Sequence, residues 1–171
     1  MEFDKFTIGF EELKLGNYDY SFLVNTTFFK GLGYSEILKG EVIVSSIFTK
    51  SERLMVMSLS FEGKVVLPCD RCGENFEEAV GFQESIVIKR GTEEDEDDGV
   101  IILKEDATEF DISHYLYESI ILSLPTKRIH PEVDGEPRCD KALLEQINKK
   151  DDSNNENDDI DPRWSALKDL K

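Results

Sequence analysis

Cys69, Cys72, His130 and Cys139 are all three cysteines and one of the two histidines of this 171-residue chain. The first two sit in Leu67-Pro68-Cys69-Asp70-Arg71-Cys72-Gly73; the others lie in His130-Pro131 and Arg138-Cys139. Three thiolates and one imidazole are the donor set of a closed tetrahedral zinc site. Two residues between Cys69 and Cys72 let both sulfurs face one point. The glycine that follows lets the backbone turn and aim N–H groups at the thiolates. The second pair is looser, with eight residues between His130 and Cys139, but its Pro131, Gly135 and Pro137 suit a loop that folds back. Two other readings stay open. Buried cysteines serve as small apolar fillers. A redox pair is the third reading, but a thioredoxin-type motif wants a βαβ unit with its first cysteine at a helix N-terminus. Here the motif falls between strand patterns, which ranks redox last.

The elements that must position these four residues are mostly strands. Phe6 to Phe10 is a short candidate, and Tyr18 to Val24 alternates as a half-buried strand does, with Thr26 to Phe29 as a continuation. Glu41 to Thr49 is rich in valine and isoleucine. Arg53 to Phe61 runs back, and Glu62-Gly63 reads as a tight turn before Lys64 to Leu67. This predicts an antiparallel meander ending on the cysteine pair. Phe76 to Arg90 and Val100 to Leu103 are further strands. Then the period changes: Ile112, Leu116, Ile120 and Leu124 recur at helical spacing, Asp111 is a suitable N-cap and Pro125 ends the run. Asp140 to Lys149 suits a second, shorter helix, and 161–171 a short closing helical element. The expected fold is α+β: an antiparallel, partly barrel-like sheet of six or more strands with one main helix over 111–124 and short C-terminal helices. The expected organisation is one domain over 1–150, an acidic linker over 151–160 and the closing element over 161–171. The four ligands would then clasp the segment after the meander to the segment after the helix.

The chain carries 37 acids against 20 bases, a net charge of −17. Two runs hold much of it: six acids at 93–98 and six more over 151–161, with no base in either. Setting both aside leaves 25 acids and 20 bases, so the body is mildly acidic. Acidic runs are usually solvated, and they also attract basic partners. Arg71, Lys89, Arg90, Lys127, Arg128 and Arg138 gather near the cysteines in sequence and offer a phosphate track, but interleaved acids bring the stretch close to neutrality. No apolar stretch approaches the ~20 residues of a membrane span. The start of the chain lacks the basic-then-apolar pattern of a signal peptide. With three cysteines, these features lead to the expectation of a cytoplasmic protein that contacts neither membrane nor DNA.

No phosphate loop, dinucleotide fingerprint or HExxH motif is present, and His114 falls inside the main helix, where a surface role suits it better than general-base work. The sequence therefore predicts no catalytic residue and no enzyme.

Three stretches together resemble the YceD family, the large ribosomal RNA subunit accumulation proteins. Cys69-Asp70-Arg71-Cys72-Gly73-Glu74-Asn75-Phe76 is similar to the family's C-x-R-C-x-x-x-F segment. Asp111-Ile112 through Glu118-Ser119-Ile120-Ile121-Leu122-Ser123-Leu124-Pro125 resembles its helix, and His130 followed by Cys139 resembles its second pair. Pro162 to Leu170 looks like its closing element, with Trp164 where a phenylalanine is often seen. The resemblance implies a non-enzymatic cytoplasmic bacterial protein. It would support 23S ribosomal RNA accumulation and large-subunit biogenesis by binding ribosomal RNA or a basic ribosomal protein. Some members lack the cysteines, which implies that a metal here is structural Zn2+. The alternatives are a zinc-stapled adaptor unrelated to RNA and, behind it, a redox or metal enzyme at the CxxC.

Overall fold

The computed structural model describes residues 6–91, 100–133 and 136–139, with Ala142 and Glu145. The acidic run at 93–98, the 151–160 linker and the 161–171 element lie outside the described residues. Of the expected 140–149 helix, only Ala142 and Glu145 are described, both helical. The chain divides into two compact units: Met1–Pro68 with Asn75–Arg128, and Cys69–Glu74 with Ile129–Lys171.

The first unit is built on a sheet in the order β2-β3-β4-β5-β6, formed by Gly16–Asn25 (β2), Lys39–Lys50 (β3), Met55–Pro68 (β4), Asn75–Arg90 (β5) and Val100–Leu103 (β6). Period-2 burial explains why these segments are strands. In β3, Val42, Val44, Ser46 and Phe48 are buried while Ile43, Ser45 and Ile47 are exposed, so one face meets the core and the other meets water. Phe48, Met57 and Ile86 lie side by side on the core face, as do Val44, Phe61 and Phe82 two rows along. Phe61 and Phe82 stack with centroids 4.3 Å apart. A separate two-stranded sheet pairs Thr7–Gly9 (β1) with Glu109–Asp111 (β7).

Two helices complete this unit. The main one, α2, spans Ser113–Ser123 and buries Leu116 and Ile120, with Ile112 before it and Leu124 after it also buried. The N-cap position is Ile112, whose side chain makes no capping bond, not the expected Asp111; Asp111, at the end of the strand before it, still accepts the Ser113 N–H at 2.8 Å through Oδ1.

The structure corrects several expectations. The sheet is mixed, because β6 runs parallel to β5, with Val87 opposite Val100. It has five strands rather than six or more, since β1 and β7 pair only with each other among the described residues. It is not a closed barrel: β2 and β6 are its two edges and do not pair. Thr26 to Phe29 do not extend β2 but form the helix α1, Thr26–Leu32. Asn25 caps it, its Oδ1 accepting the N–H groups of Thr27 and Phe28, and Gly33 closes it in the left-handed conformation. Gly63 is not a turn either. It lies mid-strand in β4 opposite Val42, where a Cβ would sit 2.2 Å from the Glu41 carbonyl oxygen and 2.7 Å from Val42 Cα. The missing side chain permits close backbone approach.

The second unit contains the loop Cys69–Glu74 and a short hairpin of Glu132–Val133 (β8) and Glu136–Pro137 (β9).

Candidate metal centre

The loop Cys69–Glu74 connects β4 to β5 and is closed by two backbone bonds: the Cys69 N–H donates to the Glu74 carbonyl and the Gly73 N–H to the Cys69 carbonyl, each at 2.9 Å. Gly73 has φ of +76°, a conformation that side-chain-bearing residues rarely adopt. This turn places the Arg71 N–H 3.4 Å from Cys69 Sγ, the donor pattern expected of a knuckle that must stabilise a thiolate.

The second pair comes from the segment that carries β8 and β9. His130 lies just before β8, and Cys139 follows β9, so the hairpin shortens the path between two residues nine apart in sequence. The loose spacing that weakened the pair in sequence is thereby taken up.

All four predicted ligand residues come together, their ligand atoms within 4.8 Å of one another. Cys69 Sγ lies 3.8 Å from Cys139 Sγ, and His130 Nδ1 lies 3.6 Å from Cys72 Sγ and 3.7 Å from Cys139 Sγ. These separations test the site against a metal. Zinc–sulfur bonds of about 2.3 Å and zinc–nitrogen bonds of about 2.0 Å at tetrahedral angles span edges of about 3.8 Å (S to S) and about 3.5 Å (S to N). The three closest separations agree with these edges, while the widest, 4.8 Å, would have to contract for all four donors to reach one ion. They are too long for a disulfide, whose sulfurs lie about 2.05 Å apart. Cys69 and Cys139 are buried, 3% and 4% exposed, while Cys72 and His130 are half-buried.

Without metal the cluster polarises its own thiols. Burial pushes Cys69 up, but N–H groups of Cys72, Arg71 and His130 and the His130 ring outweigh it and hold the thiol at about 6. Cys139 is driven the other way, to about 11, by burial and then by hydrogen bonds and negative charge from Cys69 and Cys72. One thiolate settles on Cys69 and keeps its neighbour protonated. Only a cation at the centre lets the group ionise together. Sequence alone did not say that Nδ1, rather than Nε2, is the imidazole nitrogen that faces the sulfurs.

The other candidates separate from this cluster in role. His114 is an exposed helix residue, with Nδ1 3.1 Å from the Tyr34 hydroxyl and Nε2 3.0 Å from Glu118. Of the basic residues considered as a phosphate track, Arg90 pairs with Glu11 and lies over the Phe10 ring, while Arg128 pairs with Glu36. Their charges are partly spent inside the first unit.

Among the described residues, no helix is long and apolar enough to cross a membrane. Residues 57–171 match the family model described as large ribosomal RNA subunit accumulation protein YceD. The match covers well over half of the chain and takes in the knuckle, the main helix and the second ligand pair, so the chain belongs to the YceD family. No curated protein and no solved structure matches it.

Proposed function

We propose that this member of the YceD family supports accumulation of 23S ribosomal RNA as a non-catalytic assembly factor in the cytoplasm, working on the large ribosomal subunit through a basic ribosomal protein or the RNA itself. The family match over 57–171 is the observation that carries this reading. Charge favours the protein partner: a chain of net −17 attracts a basic polypeptide and repels phosphate.

The cysteine cluster supports the non-catalytic part. Cys69, Cys72, Cys139 and His130 Nδ1 would hold Zn2+ as four protein ligands, and four protein ligands leave no open position for water or substrate. Bound zinc would supply cross-linking strength to the second unit. Redox exchange is disfavoured because Cys69 is buried and sits in a hairpin turn, away from any helix N-terminus.

Depletion of the protein in its bacterial host tests the reading. Mature 23S RNA should fall relative to 16S, and the native protein should co-sediment with large-subunit precursors. Unchanged 23S levels on depletion overturn it. Metal analysis of the purified chain should find one zinc per molecule. A zinc-free native protein, with a Cys72→Ser variant of equal stability, would defeat the structural metal.

A further inference from the structure

The solvent face of the large sheet is unlike the rest of the surface. Charged residues make up 33% of the chain, yet the middle of this face is almost uncharged. Two adjacent rows cross it: Asp19, Ile47, Ser58 and Ser85, then Ser21, Ser45, Ser60 and Gln83. A cavity of about 700 Å³ opens there, floored by Ser45, Ser58, Ser60, Ser85, Gln83 and Ile47. Its small side chains leave room for another backbone, and their hydroxyls both donate and accept. Ser58 and Ser85 are 3.3 Å apart, and Gln83 Nε2 donates to Ser60 at 3.4 Å. Alongside lie three aliphatic side chains that a solvated face has little reason to present: Leu23 and Ile43, directly paired across strands, and Ile47. Each is about half exposed, at 51%, 51% and 49%.

The charges at the margin have one sign. Asp19 lines the groove and Glu62 stands one row along, both exposed. The nearest lysine on that side, Lys64, lies a further row away and is held 2.8 Å from Glu77. Among the described residues of this face, no lysine or arginine falls within one row of the groove. A nucleic acid needs lysine or arginine against its phosphates. A lysine- or arginine-bearing polypeptide needs carboxylates at the rim and apolar and hydroxyl groups beneath, which is what this face offers.

We infer that the groove across β2–β5 docks an extended basic segment of a large-subunit ribosomal protein; this rests on the assembly role proposed above and assigns its contact surface. The purified full-length protein would be titrated with the separated basic proteins of the large subunit and, in parallel, with a 23S transcript. At least one protein should bind. Ser45→Arg with Ser58→Arg, both exposed positions, should weaken it tenfold or more by filling the groove with like charge. Asp19→Asn with Glu62→Gln, which leaves the floor intact, should weaken it about threefold and flatten its salt dependence. Leu122→Lys, on an 83% exposed residue of α2, should stay within twofold. Zinc content and unfolding midpoint report whether each variant is folded. Native-like binding by both groove variants overturns the inference, as does binding to the transcript alone. In depleted cells, the arginine variant should fail to restore 23S RNA. Restoration would defeat the groove and leave the assembly role standing, whereas no loss of 23S RNA on depletion defeats the role itself.

Discussion

The two units hold themselves together by different physics. The first buries long apolar strands, with Phe10, Phe29, Phe48 and Phe61 all fully shielded, so its stability is spread over many contacts. The second, over its described residues, has a six-residue turn, a two-plus-two hairpin and four convergent donors. These described elements are short, and the four donors are what brings the loop and the hairpin segment together. Contacts in one unit are distributed; in the described part of the other they converge on one cluster of donors that would hold a metal.

Removing the metal should separate them most sharply. Structural zinc is worth about 10–16 kcal/mol in small zinc-finger peptides. A strong chelator, or Cys72→Ser, should strip amide-exchange protection from 129–139 and leave β3, β4 and β5 protected. Uniform loss across both units would show that they share one cooperative transition. A core truncation does the reverse. Phe48→Ala should cost about 3–5 kcal/mol in denaturant unfolding of the first unit, with zinc stoichiometry unchanged. Gly63→Ala should cost about 1–3 kcal/mol, because its Cβ meets backbone that cannot rotate away. Its neutral behaviour would mean that the strands can part.

Acidity probes the second unit alone. Uptake of zinc requires thiolates, and Cys139, its pKa raised to about 11, keeps its proton well beyond the range of an ordinary thiol. Zinc affinity should therefore rise about tenfold per pH unit above neutrality on that proton alone. Below about 6 it should fall more steeply, as Cys69 also takes up a proton. Calorimetry in buffers of different ionisation enthalpy would count the protons, and an uptake that releases none would contradict the assignment. The smallest effect belongs to Asp111→Ala, which leaves the Ser113 N–H at the start of α2 without its carboxylate acceptor and should cost about 1 kcal/mol, read as a small shift of the first unit's unfolding midpoint.

The legible parts of the sequence were those where one face is buried. Val42, Val44 and Phe48, or Ile112, Leu116 and Ile120, announce their period because a slip would expose every one of them. The ligands were legible for a simpler reason: soft donors are scarce in this chain, and all three cysteines take part. What stayed hidden depends on context. Phe28 and Phe29 suit a strand as well as a helix, and only the Asn25 cap and Gly33 distinguish them. A glycine such as Gly63 signals either a turn or a close approach, and the choice rests on Glu41 and Val42, some twenty residues earlier. The parallel run of β6 has no local signal at all. Ser45, Ser58 and Ser85 read as ordinary solvated positions until the register lines them up in one groove.

Cys72 and His130 stand 58 residues apart in the chain. A ribosome adding about 5–20 residues per second delivers the knuckle roughly 3–12 s before its partner ligands exist. During that interval, while β6 and the main helix are being made, two thiols await their partners. An early ion would be held by two sulfurs, open to exchange with other carriers. A metal held by all four donors would be durable only once translation has passed Cys139, so the order of the ligands in the chain would set the timing of loading.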